Sequence, residues 1–162
     1  MDSGGSMWSY AELCNRLFQA VDRSAHFKDL KVYYFHNCFY DYLFTTPSCN
    51  WREKVQTEWV MNNLKSEYKV ILVGDGAMAP SELLYRGGSL DYFHRNDKTG
   101  LYWLETLKRR FPSSIWLNPI NEKVWDYTYG YQTIGLIRER IPMFPLTVSG
   151  LENGIKALKR GE

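Results

Sequence analysis

Four side chains in this sequence could share a cation. Asp2, Ser6, Thr57 and Asp75 all offer hard oxygens, and each falls in a loop or at the start of a helical stretch. A set with few carboxylates and several hydroxyls suits Mg²⁺ or Mn²⁺, which take one or two carboxylates and keep waters. Gly4 and Gly5 would let the backbone turn tightly beside such an ion. A purely structural reading competes with this one. Ser6 and Thr57 are also good helix caps, and Asp75, between Gly74 and Gly76, is a good turn residue.

The elements that must position these residues follow from periodicity. After the glycine-rich residues 2–6, Tyr10, Leu13, Cys14, Leu17, Phe18 and Val21 recur at helical spacing, with Ser6 or Ser9 as cap. Residues 31–36 and 40–44 read as two β-rich runs close enough for a hairpin, and residues 45–54 as a polar loop. Thr57 opens a helix through Leu64. Val70–Val73 is a continuous apolar strand, the kind that suits a parallel sheet covered on both faces. Residues 80–85 form a short helix, residues 86–98 a loop, and residues 101–110 a helix stopped by Pro112. A buried strand over residues 114–117, a helix over 131–140, a short strand over 143–146 and a helix over 151–159 complete the chain. Strand–helix alternation points to a single α/β domain over residues 1–162, Rossmann-like, with a mostly parallel sheet and helices on both faces.

Composition bounds the function. The 162 residues are 44% hydrophobic and 23% charged, as in a folded domain, and 20 basic against 18 acidic residues give a net charge of only +2. That is no footprint for nucleic acid. No apolar run reaches the ~20 residues of a membrane helix, and no secretory leader opens the chain. Cys14, Cys38 and Cys49 lack metal-ligand spacing, and an odd count without a leader argues for reduced thiols in the cytoplasm. Six Trp, twelve Tyr and eight Phe are many. Trp51, Trp125, Tyr127, Tyr129 and Tyr131 fall in or beside expected loops and could form a joint recognition patch.

An ordered set of motifs carries a resemblance. Asp2-Ser-Gly-Gly-Ser6-Met7, Phe35-His36-Asn37, Val73-Gly74-Asp75-Gly76, Trp116-Leu117-Asn118-Pro119, Trp125-Asp-Tyr and Pro145-Leu-Thr resemble, in that order, the von Willebrand factor A domain of the CoxE-like family. The resemblance covers nearly the whole chain. It implies a metal-ion-dependent adhesion site built from Asp-x-Ser-x-Ser, a distant Thr and a later Asp. Asp2, Ser6 and Asp75 match by position. Thr57 fits the threonine, with Thr45 and Thr46 as rivals. It also implies Mg²⁺ or Mn²⁺ with an open coordination position that a carboxylate from a protein partner completes, binding rather than turnover, and work alongside a MoxR-type AAA+ ATPase. Two departures stand out. Gly4 occupies the place of the middle serine, while Ser3 would point elsewhere. The motif also normally follows the central strand, and only Met1 precedes Asp2 here. The first central strand is therefore expected to be missing or truncated, with the chain read as the C-terminal part of a longer protein or as starting at an internal methionine.

Other readings stay open at this point. Val73-Gly74-Asp75-Gly76 with Asp2 also resembles a haloacid-dehalogenase phosphohydrolase, but the general acid expected two residues after the nucleophile is Gly4. A degenerate or structural domain without metal is the third. His36 and Asn37 end a strand near the proposed site, where a histidine reads first as structural. His26 and His94 read as surface or loop residues, and Asp91, Asp97 and Glu82 as acids of a solvated loop. Lys108, Arg109 and Arg110 suit a helix C-terminus.

Overall fold

The computed structural model describes residues 1–22, 29–89 and 95–160. His26, Asp91 and His94 lie outside the described residues. In chain order the elements are α1 (Ala11–Asp22), β1 (Tyr42–Phe44), β2 (Lys54–Gln56), α2 (Thr57–Asn63), β3 (Val70–Val73), α3 (Pro80–Leu84), α4 (Gly100–Arg110), β4 (Ser114–Asn118), α5 (Tyr131–Arg138), β5 (Met143–Pro145) and α6 (Val148–Arg160). Short 3-10 turns cover Gly5–Tyr10, Trp51–Glu53 and Glu122–Val124.

The apolar runs pair as their composition requires. β3 and β4 are parallel, with Val70 opposite Ser114 and Val73 opposite Leu117. β5 runs parallel on the other side of β4, with Trp116 opposite Met143. Every residue of β4 is buried, because both faces of this three-stranded sheet are covered. Alternation along the strands sorts the side chains. Leu72 and Trp116 join a core with Met61 of α2, Leu83 of α3, Leu104 of α4 and Ile137 of α5. Val73, Ile115 and Leu117 join a second core with Met7, Cys14 of α1, and Ala157 and Leu158 of α6. The domain is thus mixed α/β, a parallel sheet flanked by helices. Among the described residues no helix is long and apolar enough to cross a membrane.

The expected gap beside β3 is not open. Residues 1–3 lie between β3 and the segment around Phe35, bonded to both. The Asp2 N–H donates to the Val73 carbonyl at 2.7 Å, and the Ser3 N–H to the Phe35 carbonyl at 2.9 Å. The Phe35 N–H donates to the Met1 carbonyl at 3.0 Å, and the Met1 nitrogen to the Tyr33 carbonyl at 2.7 Å. Asp2 and Phe35 form a parallel bridge, and Tyr34 and Phe44 an antiparallel one. A three-residue stub thus occupies the place expected for the first strand, and it partners backbone groups at the carboxyl end of β3.

Smaller expectations also shift. Residues 31–36 contribute only bridges, at positions 34–36, rather than a full strand. The loop over residues 45–54 closes into β2, which pairs antiparallel with β1. Three residues are too few to show a pattern. Leu13 is exposed, while Cys14 is buried and Tyr10 and Leu17 pack against the second core. The side chains of Phe18 and Val21 lie outside the description. Neither Ser6 nor Ser9 caps α1, since both lie inside the 3-10 turn that runs directly into it. α6 begins at Val148, three residues early.

Candidate metal centre

Asp2 and Asp75 are brought to one edge of the sheet. Asp2 lies in the three-residue stub, and Asp75 lies two residues beyond β3. Both are buried, at 1% and 3% exposure. A Cβ placed on Gly74 would stand 2.9 Å from the Asp2 Cβ and 3.3 Å from its Oδ2. Position 74 must therefore be glycine for the two loops to lie together. The Asp75 Oδ1 accepts the Ala77 N–H at 3.0 Å, which shapes the turn. The loop is held from β4: Trp116 Nε1 donates to the Gly74 carbonyl and Asn118 Nδ2 to the Asp75 carbonyl, each at 2.7 Å. On its far side the Thr133 hydroxyl donates to the Gly76 carbonyl at 2.7 Å.

The two oxygens of Asp2 fare differently. Oδ1 accepts the Gly4 N–H at 2.8 Å and the Asn37 N–H at 3.1 Å. Oδ2 is buried and has no hydrogen-bond partner, the one such side-chain atom among the described residues. Burial pushes the Asp2 carboxyl up to about 6, and the nearby Asp75 charge adds to the rise, while the two N–H bonds oppose it. An orphaned buried carboxylate oxygen beside a second carboxylate is a defect in a metal-free site and a requirement of a cation site. The donor set fits Mg²⁺ or Mn²⁺ in chemistry: two carboxylates, which such an ion would complete with neutral oxygens or water. Among the described residues no three His, Cys, Asp or Glu side chains group as metal ligands.

The hydroxyls differ in their settings. Ser6 is exposed in the 3-10 turn Gly5–Tyr10. Thr57 is fully buried as the first residue of α2, and its hydroxyl donates to the Tyr40 carbonyl rather than capping the helix. Its remaining lone pairs are all it could offer an ion. Thr45 and Thr46 both bond Glu53 near the turn between β1 and β2. Ser3 turns toward the Phe35 carbonyl and lies 3.1 Å from the Cys49 thiol, so it leaves the place of the middle serine unfilled. That place is closed to any side chain on position 4 unless His36 moves aside. A Cβ on Gly4 would stand 2.5 Å from His36 Cδ2 and 3.0 Å from Asn37 Oδ1.

Sequence reasoning read Glu82 as an acid of a solvated loop. It is instead buried in α3, where its carboxylate accepts the Ala79 N–H at 3.0 Å and Asn37 Nδ2 at 2.7 Å. The signal available was Pro80 with an acid two residues on, the pattern of a helix first turn. The five-aromatic patch does not form as a unit. Trp125 is buried and donates to the Ile120 carbonyl, and Trp51 packs edge-on to Tyr42. Tyr127, Tyr129 and Tyr131 are exposed. Tyr129 and Tyr131 flank Gly130, whose left-handed φ of 74° sets it against Ala77, next to the Asp75 turn. No protein-family model, curated protein or solved structure matches the chain.

Proposed function

We propose that this chain is a metal-ion-dependent protein-binding module of the von Willebrand A type, similar to the CoxE-like family. The observation that carries the reading is the buried, unpartnered Oδ2 of Asp2 beside Asp75. Asp2 and Asp75 would hold Mg²⁺ or Mn²⁺, with Ser6 and Thr57 as further oxygen donors. The ion would present an open position to an Asp or Glu of a protein partner. Tyr129 and Tyr131, exposed beside the Asp75 turn, suit the contact surface around it. By resemblance, the partner system is a MoxR-type AAA+ ATPase acting in maturation or remodelling of a protein complex.

A domain without metal is the second reading, favoured by Thr57 being bonded to Tyr40 and by the closed position at Gly4. The phosphohydrolase reading lacks the acid it needs, because position 4 is glycine. Thermal unfolding in EDTA, then in Mg²⁺ or Mn²⁺, separates the first two. Cation at about 100 times its dissociation constant adds ~2.7 kcal/mol. The metal-dependent module shows that rise, and Asp75→Ala loses it. A cooperative transition that ignores the cation supports the metal-free domain.

A further inference from the structure

The closed position at Gly4 has an oxygen facing it. Asn37 holds a left-handed backbone, φ 61°, and its N–H donates to Asp2 Oδ1 at 3.1 Å. Its side-chain Nδ2 donates to Glu82 Oε2 at 2.7 Å. A carboxylate can only accept, so this bond decides which way the amide faces. Nδ2 must turn to Glu82, and Oδ1 must turn away from it. Oδ1 then lies 3.0 Å from where a Cβ on residue 4 would begin. Glu82 itself is fixed, buried at 8% exposure with its other oxygen on the Ala79 N–H.

We propose that Asn37 Oδ1 is a ligand of the metal centre, standing in for the serine that Gly4 replaces, with Glu82 as the positioning residue that aims it. The inference rests on the metal-site reading above. An amide oxygen is an ordinary ligand for a hard divalent cation. It comes here from the segment beside the stub rather than from the motif loop. Gly4 suits the arrangement, since a Cβ at position 4 would press on the Asn37 amide oxygen at 3.0 Å.

The test is Mn²⁺ binding to the purified chain, followed by calorimetry and by the electron paramagnetic resonance of free Mn²⁺. Asn37→Gly removes the amide while keeping a residue that tolerates positive φ. It should weaken Mn²⁺ binding roughly tenfold or more, while its melting temperature in EDTA reads separately the cost of leaving Glu82 Oε2 without this partner. Glu82→Gln should weaken binding in the same way without touching a ligand. Its Oε1 stays on the Ala79 N–H, its new amide group faces Asn37, and Asn37 must flip to present Nδ2 to the ion. The double variant Asn37→Asp/Glu82→Gln should restore binding, because a carboxylate at position 37 accepts from the new amide at position 82 and offers its second oxygen to the ion. Parent-like Mn²⁺ affinity in Asn37→Gly, with binding lost in Asp75→Ala, overturns the role of Asn37 and leaves the metal site standing. No Mn²⁺ binding by the parent chain overturns both. A double variant no better than Glu82→Gln alone overturns the positioning role.

Discussion

The side-chain amide of Asn118 donates to the backbone carbonyl of Asp75 at 2.7 Å, from the end of β4 to the turn after β3. The same side chain accepts the Ile120 N–H at 2.8 Å through Oδ1. With Trp116 on the Gly74 carbonyl, it makes β4 the frame on which the Asp75 turn is hung. Asn118 is fully buried. Asn118→Ala leaves a carbonyl and an N–H without these partners, each costing about 1–3 kcal/mol if water cannot reach it. The expected result is a lower urea midpoint at unchanged slope, and a weakened response to Mg²⁺ because Asp75 loses its mount. A variant as stable as the parent would show that the amide frames nothing.

In EDTA, Asp2 makes the fold less stable as pH rises. Its carboxyl is raised from 3.8 to about 6 in the folded state, first by burial. Below the unfolded value both states keep the proton. Between the two values only the folded state keeps it, so stability falls with rising pH. Above about 6 both are ionised and the loss is complete. A difference of that size corresponds to about 3 kcal/mol. In EDTA, Asp2→Asn should remove this slope and be more stable than the parent near neutral pH, by up to that amount. The same substitution should abolish the Mg²⁺ response. Parallel stability–pH curves for parent and Asp2→Asn would refute the assignment of the slope to Asp2.

What the sequence made legible follows from the length and purity of each pattern. Val70–Val73 and residues 115–117 are unbroken apolar runs, and both lie in parallel strands of the folded chain. β2 is three residues beside a 3-10 turn, with no period to read, and its pairing with β1 comes from tertiary context. The carboxylates of the site were visible because Asp between or before glycines marks a turn at a strand end. Asn37 and Glu82 were not visible as partners, because 45 residues separate them and only the packing of α3 against the segment beside the stub joins them. The Trp-Leu-Asn-Pro run was visible only as residues that carry a resemblance. Its physical task, two side-chain N–H bonds to the carbonyls of Gly74 and Asp75, needed the sheet register.

A serine at position 4 should harm this chain. Gly4 has φ −62° and ψ 166°, which any residue adopts, so backbone strain is not the obstacle. The obstacle is His36, whose Cδ2 would lie 2.5 Å from the new Cβ. Gly4→Ser must therefore swing an imidazole aside or shift the stub that carries Asp2, and overpacking of this kind costs about 1–3 kcal/mol. His36 is exposed, so its ring has somewhere to go only if the His36–Cys38 bridge tolerates the new rotamer. Combining Gly4→Ser with His36→Ala removes the collision and should recover most of the loss. A double-mutant cycle on melting temperatures in EDTA reads this directly: coupling of about 1 kcal/mol or more between positions 4 and 36 is expected for residues in contact. Additive effects would mean that His36 does not close the space above Gly4.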